Sequence, residues 1–326
     1  MTIHGRWMKD EFQQQLVSVI IPTYNRVSIL FDSLESVLLQ TYRPIEIIVI
    51  DDGSEDNTKY FYDSWMSKMK LDTGVNIKYL FQNNQGAPVA RNLGLIESKG
   101  EYIQFLDSDD LLIPIKIEAQ IATLLATEAD FVCGDCKILD YSSGNEYAIW
   151  EFSKRNHNPA DHIRTISLNT SSALYRRSAL RKNGPWAETL QRWQDYEYNF
   201  RILANKNRGI WTADIFLLVR IHGNNISSST ANKQHTSFAG ACLLIEQYAI
   251  KKNIYNKEVK NAIGAVFIRI SNLLAEEDES RLANKYLIEG IRRVSLINRF
   301  LYFTTYYIGK IIGLRFGLKL QSLFNR

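Results

Sequence analysis

Val17-Ser18-Val19-Ile20-Ile21-Pro22-Thr23-Tyr24-Asn25-Arg26 passes from a β-branched apolar run into a polar, aromatic turn. A run with no polar alternation is expected of a strand buried on both faces. Leu30, Leu34, Val37 and Leu38 follow at helical spacing. Glu46-Ile47-Ile48-Val49-Ile50 reads as the next strand, ending at Asp51-Asp52-Gly53-Ser54. A helix from Asn57 to Lys70, a strand at Ile77-Lys78-Tyr79-Leu80 and a helix from Gly86 to Ser98 come next. Tyr102-Ile103-Gln104-Phe105-Leu106 is a fourth strand, closing on Asp107-Ser108-Asp109-Asp110. This β-α-β-α order predicts an α/β fold, a mostly parallel sheet with helices on both faces. Ligands of such sheets sit outside the carboxyl ends of the strands, where the polar clusters fall.

The alternation runs to about Arg220, and after about His235 the pattern is helical. Ala239 to Ile250, Val259 to Leu274 and Arg281 to Val294 each carry apolar residues at helical spacing. The expected division is an N-terminal extension over 1–15, a catalytic α/β region over 16–234, a helical region over 235–294 and a basic tail over 295–326. With 39 Lys+Arg against 35 Asp+Glu, the net charge of +4 is too small to favour a general nucleic-acid partner. No apolar run is long enough to span a bilayer as an ordinary helix. Arg6, Lys9, Asp10 and Glu11 precede any apolar run, which is not the pattern of a secretory signal. The 3 cysteines suit a reducing compartment. Cys133-Gly134-Asp135-Cys136 has redox or zinc spacing, but no second ligand pair accompanies it, and close packing in a strand is the favoured reading.

Three polar clusters carry candidate chemistry. Asp107-Ser108-Asp109-Asp110 supplies the oxygen ligands that Mg²⁺ or Mn²⁺ takes alongside a diphosphate, although one such residue also suits a helix cap. Asp51-Asp52-Gly53-Ser54 is either an acidic turn or a carboxylate that accepts a hydrogen bond from a nucleobase imide. Pro22-Thr23-Tyr24-Asn25-Arg26 offers an aromatic ring to a planar base, unless Tyr24 packs on its own helix.

In order and spacing, Val17 to Arg26, Asp51 to Ser54, Gly86 to Gly94 and Gly100 to Asp110 closely resemble the family 2 glycosyltransferases of bacterial surface-glycan type. The resemblance runs from about residue 16 to 230. It implies a GT-A fold, a nucleotide-binding sheet merged with an acceptor-binding region. It also implies roles: Pro22, Tyr24 and Asn25 line the nucleoside, Asp52 contacts uracil, and Arg91 lies near the diphosphate. Asp107 and Ser108 face the donor, and Asp109 contacts Mn²⁺ or Mg²⁺. Trp193-Gln194-Asp195-Tyr196-Glu197 resembles the family's acidic motif, with Asp195 as catalytic base and Gln194 where Glu is common. The segment from Val219 to Ser227 resembles the loop that brings a histidine, His222, to the metal or diphosphate. Trp193 is the candidate acceptor contact because it adjoins Asp195, whereas Trp186 and Trp211 suit core packing equally well.

The implied reaction is metal-dependent, inverting transfer of a hexosyl or N-acetylhexosaminyl group from a UDP-sugar to a glycan or lipid-linked acceptor. A non-catalytic sugar- or nucleotide-binding scaffold on the same fold is the alternative. Neither a nucleotidyltransferase's basic glycine-rich loop nor a dehydrogenase's Gly-x-Gly-x-x-Gly follows the first strand. Beyond Glu289 the chain has no acidic residue but carries Arg292, Arg293, Arg299, Lys310, Arg315, Lys319 and Arg326. Phe300, Phe303, Tyr307, Ile311, Leu314 and Leu318 form one helical stripe between these cations. That is the pattern of an interfacial helix, and it suggests a cytoplasmic protein at the inner face of the membrane. A helix packed on the catalytic region is the alternative.

Overall fold

The structure is a computed structural model, described for residue 8 and for residues 11–222 and 231–295. It divides into two compact units, one of Met1–Arg155 with Ser167–Asn225 and one of Asn156–Ile166 with Ile226–Arg326. The first carries the sheet. Its elements are β1 (Gln13–Thr23), α1 (Val27–Leu38), β2 (Ile45–Asp51), α2 (Thr58–Lys68), β3 (Val75–Phe81), α3 (Ala87–Glu97) and β4 (Gly100–Phe105). After these come β5 (Leu111–Leu112), α4 (Lys116–Thr127), β6 (Phe131–Asp140) and β7 (Glu146–Trp150). The connection through α5 (Pro159–Thr165) belongs to the helical unit. β8 (Ala173–Arg176), α6 (Arg177–Asn183), α7 (Gln194–Ala204) and β9 (Gly209–Ile221) complete the sheet unit.

The strands form one sheet in the order β3-β2-β1-β4-β8-β6-β9-β5, with β7 paired to β6. β1 lies between β2 and β4, all parallel, with Val19 opposite Ile47 on one side and Gln104 on the other. Val17, Val19, Ile20, Ile21, Ile48 and Val49 are all buried, because helices cover both faces of the sheet. Beyond β4 the sheet is mixed: β8 runs antiparallel to β4 and β6, and β9 runs parallel to β6. Cys133 and Cys136 are free thiols buried within β6, so the spacing that suggested redox chemistry belongs to a packed strand.

Register puts the functional loops at one edge. Thr23, Asp51 and Phe81 end β1, β2 and β3 opposite one another. The Asp52 N–H donates to Thr23 O, and the Leu106 N–H to Ile20 O, so the loops after β1, β2 and β4 leave the sheet side by side.

The second unit contains α5, α8 (Ala231–Lys251), α9 (Lys257–Glu276) and α10 (Ser280–Arg293). α8 thus begins before position 235, where the sequence pattern set the boundary. α9 and α10 meet at Gly264 and Gly290, where a Cβ on Gly290 would lie 2.5 Å from Ile268 Cγ1. Arg293 on α10 bonds Glu246 of α8 and Glu289, tying α10 to α8. The tail over 296–326 lies outside the described residues.

Candidate active site

The loop after β1 is built around Asn25, whose φ of +51° is the left-handed conformation that Asn tolerates. Its N–H donates to Ser54 Oγ at 2.9 Å, and its Oδ1 accepts the Glu55 N–H at 2.8 Å. Asn25 therefore staples the β1 loop to the β2 loop. Pro22 is buried near the end of β1, and Tyr24, which follows the strand, is 44 % exposed.

Asp51 and Asp52 face different tasks. Asp51 accepts the Ser54 N–H at 2.8 Å and the Tyr79 hydroxyl, and burial together with this carboxylate pushes the Tyr79 pKa up. Asp52 is buried and turned towards the β3–α3 loop. It accepts Gln82 Nε2 at 2.7 Å, the Gln85 N–H at 2.9 Å and the Gly86 N–H at 2.7 Å. A carboxylate has about four lone-pair positions, so about one remains for a ligand. Asp52 thus also organises the loop that starts α3, where Gly86 takes a φ of +94° that a side chain would resist.

Arg91 projects from α3 and is buried, with its guanidinium carbon 4.7 Å from the Trp186 ring centroid. Trp186 in turn stacks on Tyr198 of α7 at 3.9 Å, a core role. Trp211 packs edge-on against Phe131 and donates to Ser167 O. Arg91 Nη2 donates to Asp107 Oδ1 at 2.7 Å, while its Nε and Nη1 are buried with no hydrogen-bond partner among the described residues. Buried guanidinium donors left unpaired are costly, and an anionic ligand would satisfy them.

Asp195 lies in the first turn of α7, just after Trp193 at a φ of +60°. Burial raises its pKa; the nearby Arg91 charge opposes the rise and the Asp107 carboxylate adds to it. Asp195, Arg91 and Asp107 therefore share one electrostatic environment, although 88 residues separate Asp107 from Asp195 in sequence. Trp193 is half-buried and meets Tyr196 edge-on at 6.2 Å. Gln194 is buried, and its Oε1 has no partner among the described residues.

The acidic cluster after β4 leads into β5 rather than a helix, which removes the capping alternative. Its members point different ways. Asp107 is 41 % exposed and faces Arg91. Ser108 is buried, and its carbonyl accepts the Ser33 hydroxyl at 2.9 Å. Asp109 Oδ2 lies 3.1 Å from His222 Nε2 and 3.1 Å from Arg26 Nη1. Asp110 is buried against the Arg220 N–H at 3.1 Å, and burial, then Asp109 and Asp107, raises its pKa well above the usual range.

Two residues to which the sequence pattern assigns no role hold this arrangement together. Arg220 reaches Asp109 O, Asp32 Oδ2 at 2.5 Å and Ile29 O at 3.2 Å, bonding the β4–β5 turn to α1. Arg26 contacts His222 Nε2 at 2.6 Å. The only sequence signal for Arg26 is its place at the end of the β1 loop. Among the described residues no group of three or more His, Cys, Asp or Glu gathers as a metal site, and Asp109 and His222 meet as a pair.

The profile of glycosyl transferase family 2 matches residues 18–184. GlyG of Streptococcus pneumoniae is 39% identical over 133 residues, covering 41% of this chain and 43% of that protein. An uncharacterised glycosyltransferase of Rickettsia typhi is 31% identical over 237 residues, 69% of this chain and 70% of the relative. The Escherichia coli UDP-Glc:α-D-GlcNAc-diphosphoundecaprenol β-1,3-glucosyltransferase WfgD is 40% identical over 132 residues, 39% of this chain and 48% of its own. The chain thus spans less than half the length of two of these relatives. Among solved structures, Staphylococcus aureus TarS in complex with UDP-GlcNAc aligns with a TM-score of 0.69 at 21% identity, over 86% of this chain and 81% of that one. With its sheet order, its loops at one edge and these matches taken together, the chain belongs to glycosyl transferase family 2 and has the GT-A fold.

Proposed function

We propose that the protein transfers a sugar from a UDP-sugar to a hydroxyl of a glycan or lipid-linked acceptor, with inversion at the anomeric carbon, in bacterial surface-polysaccharide or glycoconjugate assembly. The observation that carries this reading is the Arg91–Asp107 ion pair at 2.7 Å, whose two charges both act on the Asp195 carboxylate in the first turn of α7. The TarS complex with UDP-GlcNAc and the UDP-glucose specificity in WfgD's name support a uridine donor. The diphosphoundecaprenol acceptor in that name supports a lipid-linked acceptor here.

An unaided sugar hydroxyl is a poor nucleophile at neutral pH. Asp195 acts as the general base: its carboxylate takes the hydroxyl proton as the acceptor oxygen bonds to the anomeric carbon. The bond from that carbon to the diphosphate breaks, and its electron pair leaves on the β-phosphate. The uncommitted Nε and Nη1 donors of Arg91 suit the charge that grows there. Burial keeps the Asp195 pKa above the ordinary carboxylate value, which makes it a better proton acceptor. Tyr24 offers its exposed ring to the base, and Asp52 its remaining lone pair to uracil, with Pro22 and Asn25 setting the loop. Ser108 joins Asp107 as a donor-side residue, and Trp193 is the acceptor-side contact.

Asp109 and His222 suit Mn²⁺ or Mg²⁺: a carboxylate oxygen and an imidazole nitrogen converge, and the cationic Arg26 nitrogen faces both. Asp109 and His222 would hold such an ion, which would supply positive charge to the departing diphosphate.

Replacing Asp195 with Asn keeps the shape and removes the base. Turnover should fall by about three orders of magnitude or more while UDP affinity, measured by calorimetry, stays within about twofold. Retained turnover would refute the role.

The 295–326 tail supports contact with the inner face of the membrane through its sequence alone. Among the described residues no helix is long and apolar enough to cross a membrane.

A further inference from the structure

Arg26 Nη1 stands 2.6 Å from His222 Nε2 and 3.1 Å from Asp109 Oδ2, and those two atoms are 3.1 Å apart. A guanidinium nitrogen donates and never accepts. Asp109 Oδ2, which carries lone pairs only, and His222 Nε2 are thus both turned towards one cationic nitrogen.

This is the arrangement a divalent cation demands of the same pair, with a guanidinium supplying the charge. The side chains of Arg26, Asp109 and His222 are only 14%, 17% and 11% exposed, so water screens these contacts weakly. Arg26 is also anchored through its backbone, its carbonyl accepting the Leu30 N–H at 2.9 Å at the start of α1.

We propose that Arg26 is the resident counter-cation of the Asp109–His222 pair, holding the two side chains converged when no donor is bound and competing with the divalent ion for them. The donor's diphosphate offers the guanidinium other anions. Its arrival therefore releases the pair and couples cation binding to nucleotide binding. By linkage the coupling is reciprocal: the cation must tighten nucleotide binding by the same factor. The proposal rests on the assignment of Asp109 and His222 as cation ligands.

The test is Mn²⁺ binding by the full chain, followed through the EPR signal of free Mn²⁺, with and without UDP. Arg26→Met should bind Mn²⁺ about tenfold more tightly than the unsubstituted protein when no nucleotide is present, and UDP should add less to its affinity. Arg26→Lys, which keeps the charge, should stay within about threefold of the unsubstituted protein. Unchanged or weaker binding by Arg26→Met would overturn the proposal. So would Arg26→Lys binding as tightly as Arg26→Met, because the effect would then follow loosened packing rather than charge. Asp109→Asn should lose the bound Mn²⁺. If it binds normally, the cation site itself is wrongly placed and the Arg26 role falls with it, whereas failure of Arg26→Met alone leaves the site intact.

Discussion

A carboxylate kept ionised in a partly buried place works against the fold that holds it. The Asp195 pKa is raised by burial, so over the window between its unfolded and folded values the native state binds the extra proton. Stability is therefore lost as pH rises through that window, and the loss persists at neutral pH. Asn at this position removes the buried charge. Asp195→Asn should melt about 2 °C or more above the unsubstituted protein at pH 7.5, with the gap narrowing at pH 4, in thermal unfolding followed by circular dichroism. A lower melting point at both pH values would mean that Asp195 is a structural residue. Together with lost turnover, a raised melting point is what a charge held in place for catalysis produces.

Among the elements, α4 carries the least expected group. Lys116 is fully buried, and its Nζ donates to Gln104 Oε1 of β4 and to Gln120 Oε1 at 2.6 Å. Gln120 Nε2 passes the network on to Val132 O of β6 and Ser172 O beside β8. The amine thus joins α4 to β4 and, through Gln120, to β6 and the residue before β8. Burial lowers the Lys116 pKa from 10.5 to about 7, against the nearby Cys133 and Cys136 thiols, which pull it up. Between those two values the unfolded chain carries the proton and the folded chain does not, so stability rises with pH across the window. Measured by urea unfolding, the unsubstituted protein should gain about 1–4 kcal/mol relative to Lys116→Met between pH 7 and pH 10. A difference that is flat with pH would show that the amine is neutral or solvated throughout. Burial of the amine depends on Gln104 of β4 as well as on Gln120, one helical turn along α4, and the first of these partners is set by the tertiary fold.

For the whole molecule, the question is where it works. The tail beyond Val294 contains Arg299, Lys310, Arg315, Lys319 and Arg326 without an acidic residue. Each cation near an anionic bilayer contributes about 1 kcal/mol of attraction, and the aromatic stripe between them adds apolar burial. Removing residues 295–326 should lower co-sedimentation with vesicles containing about one-third anionic lipid by about tenfold or more, with little change on neutral vesicles. Equal sedimentation of the truncated and full chains would dispose of the membrane role.

The local pattern along the chain determined the strand–helix order, the buried parallel strands and the loops that hold the candidate residues. Such features follow from the apolar period and from turn residues within a few positions of one another. The resemblance to the family 2 glycosyltransferases marked Tyr24, Asp52, Arg91, Asp109, Asp195 and His222, with Arg91 on α3, Asp195 on α7 and the others at or beside strand ends. Only the tertiary structure decided what each one faces. Asp52 spends most of its acceptor capacity on the β3–α3 loop, Asp110 turns inwards, and Arg26 contacts both Asp109 and His222. Arg220 clamps Asp32 across 188 residues, and His222 meets Asp109 across 113. Contacts at such separations arise when the sheet brings distant loops to one edge, and no local spacing rule encodes which charges will then be neighbours.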